Sequence, residues 1–331
     1  MLEFNNLAKR ILAYGEERID RTGTGTISCF GEKMSFNLLL GLPVVTGKKI
    51  SWKLPIKELL WMLSGSSSNT DLNNKGVTIW DEWAVDGNLG PVYASQWRNW
   101  PVTDYEYHED DIIMAGREMQ LYGSTNALDG YSGHIDQITL LLNGLQNRPF
   151  SRRHIITAWN WAFIPQEDMT PQENVLAGNM CLPPCHIMAQ WYVSKATYDD
   201  KINYASYQKY LGVVDFDIDS APEYKLSCQM YQRSMDVCLG APFNMIGYSV
   251  LTMMLAKQCG FMPGMYHHVI GDAHVYLNHV DNLKIQLSRE PFSSPFLRIN
   301  DNVKSIFDYK IEDFDLIGYK HHAPLSYSVA V

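Results

Sequence analysis

Two cysteines four residues apart, with a histidine directly after the second, make "NMCLPPCHIMAQWYV" (179–193) the first candidate for chemistry. Cys181, Cys185 and His186 fit half of a zinc site, one arm of a disulfide, or a nucleophile with supporting groups. An inert core thiol is the plainer reading, because free cysteine is among the most buried residue types and its reactivity depends on its surroundings. Pro183 and Pro184 fix their own φ and drive the residue before each out of the α region, so the chain enters Cys185 extended. Beyond it, Ile187, Ala189, Trp191 and Val193 alternate with His186, Met188, Gln190 and Tyr192, the period of a β-strand.

Arginine is the next group to place. "RPFSRR" carries Arg148, Arg152 and Arg153, "QRS" sets Arg233 beside Ser234, and "DRTGTGT" sets Arg21 before a glycine-rich turn. Each alone reads as a solvated surface charge; together their guanidinium forks suit a phosphate. The "GTG" is neither a Walker loop nor a dinucleotide fingerprint. Glu58 lies within the apolar "PIKELLWMLSG" with Trp61 and Met62 three and four residues on. A carboxylate there is either an amphipathic helix edge or a group of raised pKa suited to proton shuttling. "GDAHVYLNH" puts His274 and Tyr276 on one side of an extended chain. Asp272, His274 and His279 match neither H-E-x-x-H nor a zinc-finger spacing, and no metal is expected. "WDEW" offers Trp80 and Trp83 for stacking on a heterocycle, for excluding water, or for a core.

The elements that must hold these groups are interleaved irregularly. An N-terminal helix has Leu7, Ile11 and Leu12 on one face and Gly15 near its end. "TISCFGEKMSFNL" (26–38) alternates as a strand. The 55–65 stretch has Pro at its front, Gly at its back and Ile56, Leu59, Leu60 and Leu63 at core spacing. "MIGYSVLTMMLAKQCG" (245–260) is apolar on most sides and reads as a buried helix. Such mixing favours an α/β or α+β layered protein over a barrel of repeats. Stretches 103–131, 165–179 and 195–224 read as surface insertions. The chain of 331 residues has 46% hydrophobic and 19% charged residues and a net charge of −9, which argues against a broad grip on nucleic acid or anionic membrane. "FNMIGYSVLTMMLA" is too short and too polar at its start to span a bilayer. Six cysteines and no secretory apolar region in the first twenty residues point to free thiols and the cytoplasm.

Taken together, "DRTGTGT", "KELLWMLSG", "TIWDEWA", "LGPVYASQWR", "SRRHIITAWN", "LPPCHIMAQWYV", "LSCQMYQRSMDVCLGAPFN", "GDAHVYLNHVDNLKIQLSREP" and "SIFDYKIEDFDLIGY" resemble the thymidylate synthase family, in the family's order and over nearly the whole chain outside the insertions. The resemblance implies one α+β domain over residues 1–331, a large mixed sheet flanked by helices, and a homodimer packed sheet to sheet. It implies dUMP as substrate, 5,10-methylenetetrahydrofolate as cosubstrate and no metal. It casts Cys185 as the nucleophile that adds to C6 of the pyrimidine, with nearby arginines lowering its pKa, and His186 as support. Arg21, Arg233 and Ser234 would hold the phosphate, joined by Arg152 and Arg153 from the other subunit. Asn244 would read the base, and His274 and Tyr276 the ribose hydroxyl. Asp236, Trp80, Trp83, Gly240, Phe243 and Ala330 would contact the folate, while Glu58 and Tyr93 would serve the proton transfers.

Three positions depart from common family patterns: Ser51 for a histidine, Gly47 for a threonine, and "NMIGY" after the phenylalanine for "NIASY". None removes a catalytic group. Within the same resemblance, a phage-type dUMP hydroxymethylase is the competing reading, in which water captures the methylene unit. Trp80, Trp83 and the Ala330–Val331 tail, by excluding water, favour hydride transfer and a methyl product. Asn244 argues against a dCMP enzyme. A zinc-binding module on Cys181, Cys185 and His186 is the rival from another class.

Overall fold

The first helix, α1 (Leu2–Tyr14), buries Phe4, Leu7, Ala8 and Ile11, an apolar stripe at three- and four-residue spacing, as its sequence period requires. It stops where Gly15 turns to extended backbone, its N–H donating to the Ile11 carbonyl at 2.9 Å. A Cβ at Gly15 would stand 2.5 Å from that carbonyl oxygen and 2.6 Å from the Ile27 side chain, so only glycine fits. The computed structural model describes residues 1–19, 23–102 and 133–329. Arg21, Ala330, Val331 and the 103–131 insertion lie outside them.

After α1 come β1 (Glu16–Arg18), β2 (Thr26–Asn37), α2 (Lys53–Ser64), α3 (Asn69–Asn73), α4 (Tyr93–Arg98), β3 (Trp100–Val102) and β4 (Gly133–Ile135). Then follow α5 (Gln137–Asn147), β5 (Ile155–Thr157), α6 (Pro171–Leu176), β6 (His186–Lys195), α7 (Tyr198–Tyr210) and β7 (Tyr224–Asp236). The chain continues through α8 (Gly240–Gln258), β8 (Met262–Tyr276), α9 (Val280–Ser288), β9 (Phe296–Ile299) and β10 (Phe314–Ile317). These elements form two compact units, residues 1–60, 144–155 and 185–331 in one, 61–143 and 156–184 in the other.

The first unit is built on a mixed sheet in the order β1-β2-β8-β7-β6-β5. β1–β2, β2–β8 and β6–β7 are antiparallel, whereas β7 and β8 are parallel and joined through α8. α8 packs against both strands it connects. Ser249 to Ala256 are all buried, so no side of its middle faces water, as the apolar run requires. The helix starts at Gly240, five residues before the sequence pattern alone places it.

β6 follows its alternation from Ala189 onward, with Ala189, Trp191 and Val193 buried and Tyr192 exposed. Its first turn of the pattern departs from the sequence reading. A bulge between His186 and Met188 inserts an extra residue opposite β7, and His186 is buried while Met188 is exposed. Alternation counted along the sequence puts those two residues on the same face; the bulge separates them.

Two of the expected insertions carry their own structure. Within 165–179, α6 begins with a capping box between Thr170 and Glu173. Within 195–224, α7 is capped by Thr197 and Asp200, and Asp200 pairs with Lys225 at 2.7 Å. Tyr207 donates to the Leu297 carbonyl at 2.7 Å, and Tyr210 stacks on Phe296 with ring centroids 4.2 Å apart. The C-terminal segment is tied along the same unit. The Tyr319 hydroxyl donates to the Val45 carbonyl (3.0 Å), the His322 N–H to the Thr46 carbonyl (2.9 Å), and the Tyr327 hydroxyl to Gln286 (2.9 Å).

Candidate active site

Strand register collects Cys185, Arg233, Ser234, Asp236, His274 and Tyr276 at one end of the sheet. On the parallel pair, Ser234 lies opposite Asp272 and Asp236 opposite His274. β6 runs the other way, so its first residue, His186, lies opposite Gln232, and Cys185 precedes it beside the end of β7. β2 begins there too, with Thr26 opposite Tyr276. The carboxyl ends of parallel strands are where open sheets leave room for ligands, and this end carries the thiol, a guanidinium and two aromatic hydroxyl or imidazole groups.

Cys185 is held through its backbone: the Arg233 N–H donates to its carbonyl at 2.8 Å. The Arg233 side chain reaches back, with Nη2 3.9 Å from Sγ. Burial pushes the Cys185 thiol up, and Arg233 pulls in the opposite direction without reversing it. The expected lowering by arginine is therefore present but outweighed. All six cysteines are free thiols. Cys181 is buried and pushed up to about 12 by that burial. His186 is buried, with Nδ1 2.8 Å from the Tyr248 hydroxyl, and burial lowers it to about 3. It is neutral and already engaged by the Tyr248 hydroxyl.

His274 is oriented from behind. Its Nδ1 lies 3.2 Å from Asp272 Oδ2, so that nitrogen donates and Nε2 is left to accept. The Ser28 hydroxyl donates to the other Asp272 oxygen. Burial would raise the Asp272 pKa, but the bonds from His274 and Ser28 outweigh it and hold the carboxyl below its ordinary value. Gln232 does the same for β7: it donates to the Ser234 carbonyl at 2.9 Å and meets His268 Nε2 at 2.8 Å. Ser28 and Gln232 make these contacts without a motif of their own, while Asp272, weighed in the sequence only as a metal ligand, serves here to orient His274.

Asp236 turns the chain from β7 into α8, its Oδ1 accepting from the backbone N–H of Cys238 (2.7 Å) and Leu239 (3.2 Å). A Cβ at Gly240 would lie 3.8 Å from Asn244 Oδ1 and 3.9 Å from the Asp236 Cβ, which places those three residues around one spot. The half-buried Asn244 amide has no hydrogen-bond partner among the described residues and offers both a donor and an acceptor. Phe243 precedes it on the first turn of α8. Lys48, absent from the sequence candidates, donates to the Cys238 carbonyl at 2.8 Å and sits 4.1 Å over the Tyr327 ring. Burial lowers its ammonium to about 8.

In the second unit, Trp80 is the centre of an aromatic cluster. It meets Trp83 edge-on at 5.9 Å, Tyr93 at 6.2 Å and Trp61 at 6.3 Å, and Tyr93 meets Trp97 at 6.4 Å. Trp61, Trp80, Tyr93 and Trp97 are buried and Trp83 half-buried, so "WDEW" supplies both core and partly open aromatic surface. Glu58 is half-buried on α2. Arg152 and Arg153 are exposed before β5, and Gln190 of β6 donates to the Arg152 carbonyl at 3.0 Å. Neither arginine forms an ion pair with a described residue.

This is a mixed α+β protein whose sheet end brings together a thiol, a guanidinium and, at the start of α8, a half-buried amide. The family model described as Thymidylate synthase matches residues 2–331, nearly the whole chain. The chain belongs to the thymidylate synthase family, whose members are one-carbon transferases that serve thymidylate formation with a folate cosubstrate. No described helix is long and apolar enough to cross a membrane.

Proposed function

We infer that the protein is a cytoplasmic thymidylate synthase that converts dUMP to dTMP through a covalent adduct between Cys185 and C6 of the base. The observation that carries this reading is the placement of Cys185 against Arg233, beside a strand end that also presents Ser234 and His274. Arg233 and Ser234 bind the phosphate, with Arg21, and with Arg152 and Arg153 supplied by a second subunit. The Asn244 amide donates to O4 and accepts from N3–H, the pattern of uracil. His274, with Nε2 free to accept, and Tyr276 hold the ribose hydroxyl.

The thiolate adds to C6 as the C5–C6 double bond breaks, and charge moves to O4 where Asn244 donates. Glu58 and Tyr93 handle the protons, and loss of the C5 proton precedes expulsion of Cys185. The reduced folate supplies the one-carbon unit and the hydride. Residues of this chain suit it: Asp236 engages only Oδ1 with the backbone N–H groups of Cys238 and Leu239, and half-buried Trp83, backed by buried Trp80, offers aromatic surface for a heterocycle. Gly240, Phe243 and Ala330 complete that set. Dimerisation through the sheet is supported by its partly open face, where Met188 and Tyr192 are exposed next to the Arg152 loop.

A product assay with dUMP and 5,10-methylenetetrahydrofolate tests the assignment. Dihydrofolate absorbance should rise and the nucleotide should gain a plain methyl group. Tetrahydrofolate with a product one oxygen heavier would instead make the protein a dUMP hydroxymethylase.

A further inference from the structure

On the reading of the site as one for a nucleotide phosphate, we propose that His268 is a positioning residue: acting through Gln232, it fixes the end of β7 that carries Arg233 and Ser234. His268 is buried on β8, opposite Met230 in the parallel pairing and so two residues short of Gln232 along β7. Its Nε2 is 2.8 Å from Gln232 Oε1. Gln232, itself buried, donates through Nε2 to the Ser234 carbonyl at 2.9 Å. Two hydrogen bonds therefore run from inside the sheet to the backbone of the residue expected on the phosphate. Between their ends lies Arg233, whose N–H closes on the Cys185 carbonyl at 2.8 Å.

The direction of both bonds is forced. A carbonyl can only accept, so the Gln232 amide nitrogen faces Ser234 and the amide oxygen is left for His268. That oxygen also only accepts, so the hydrogen of His268 sits on Nε2. Nδ1 then keeps the lone pair, buried and without a hydrogen-bond partner among the described residues. An unmade buried acceptor costs stability, a cost that an apolar side chain at 268 would avoid. What the imidazole adds is the one donor that holds the Gln232 amide. The Tyr266 ring, tilted against it at 5.7 Å between centroids, restrains the imidazole in turn. Without that donor the amide is free to turn over, which would set its oxygen against the Ser234 carbonyl and break the second bond.

The tautomer can be read on the full-length parent, with no variant required to fold. In a nitrogen NMR spectrum of isotope-labelled histidine, the ring in contact with Tyr266 should carry its proton on Nε2 and none on Nδ1; the reverse overturns the role. Binding of dUMP, measured by calorimetry, supplies the second readout. His268→Met, similar in bulk but without a donor, should weaken dUMP roughly fivefold, the scale of one net hydrogen bond. His268→Gln, which can still donate, should bind as the parent does. In a Gln232→Met background, His268→Met should cause no further loss, because members of one hydrogen-bond chain do not add independently. Unchanged binding in His268→Met, equal losses in the Met and Gln variants, or additive losses in the double variant each overturn the role. A parent that does not bind dUMP would instead overturn the nucleotide reading of the site itself.

Discussion

Arg233 stands closest to the thiol on which the proposed reaction depends, and removing its charge should make Cys185 measurably harder to ionise. At the observed 3.9 Å, the attraction between guanidinium and thiolate is about 1 kcal/mol at the permittivity of water and about 4 kcal/mol at an effective value of about 20. Those limits correspond to about 5-fold and about 1,000-fold in thiolate population, since about 1.4 kcal/mol is a factor of ten. Cys185 keeps part of its surface open, and solvent screening pulls the value toward the lower limit, about tenfold. Burial already holds the thiol above its ordinary pKa, so losing the cation moves it further the same way. The assay is the rate of iodoacetamide labelling at Cys185, read by peptide mass across pH, for the parent and Arg233→Met. The variant should react about tenfold more slowly at neutral pH and equally fast once both thiols are ionised. Equal rates at neutral pH, or a deficit that persists unchanged into strong alkali, would refute an electrostatic role and leave accessibility as the cause.

Acid should destabilise the fold through His186 and His268, both lowered from 6.5 to about 3, chiefly by burial. Below pH 6.5 the unfolded chain takes up protons the folded one refuses, so each histidine should cost about 1.4 kcal/mol per pH unit; urea melts from pH 6 to 4 check this, and a slope unchanged in His268→Gln contradicts it. Asn244→Asp should shift binding from dUMP toward dCMP, because a protonated carboxyl donates to cytosine N3 and accepts from its amino group. Identical preferences in parent and variant would remove Asn244 as the base reader. A variant lacking Arg152 and Arg153 and a Cys185→Ser variant should each be nearly inactive, and subunit exchange between them should restore one intact site per heterodimer. No recovery despite demonstrated exchange argues that each site is built from a single chain.

What could be read in advance was local. The Leu7 and Ile11 face of α1 and the Ala189–Val193 alternation are periods written into nearby residues, and they fold as written. Leu12, expected on the same helix face, is only half-buried, and Phe4 and Ala8 complete the stripe instead. Cys185, Arg233, Ser234, Asn244 and His274 stood out because each sits in a distinctive string. Their supports did not, because the pairing is distant: Ser28 and Asp272 are 244 residues apart and meet only once β2 pairs with β8. Lys48 and Tyr327 likewise need the C-terminal segment laid back against the first unit before a cation meets a ring. A helix start such as Gly240 was hidden for another reason. Leu239 gives no side-chain cap, and the Asp236 carboxylate bonds the backbone N–H groups of Cys238 and Leu239 in the turn before the helix begins.

The bulge at the start of β6 shows how a backbone irregularity and a catalytic arrangement can depend on each other. Regular pairing from Met188 back to Cys185 would keep His186 on the opposite face from Ile187 and on the same face as exposed Met188. His186 would then leave Tyr248, and an imidazole buried and bonded at 2.8 Å would be stranded in water or unpaired. The extra residue instead turns His186 into the core while the Arg233 N–H still closes on the Cys185 carbonyl at 2.8 Å. The thiol is thus fixed from both sides, by β7 through the backbone and by a buried histidine immediately after it. Two prolines ahead of Cys185 remove the remaining freedom, because the residue before each is confined to extended backbone. A nucleophile whose burial disfavours its thiolate gains from this rigidity, since the 3.9 Å approach of Arg233 counts only while the sulfur is held in place.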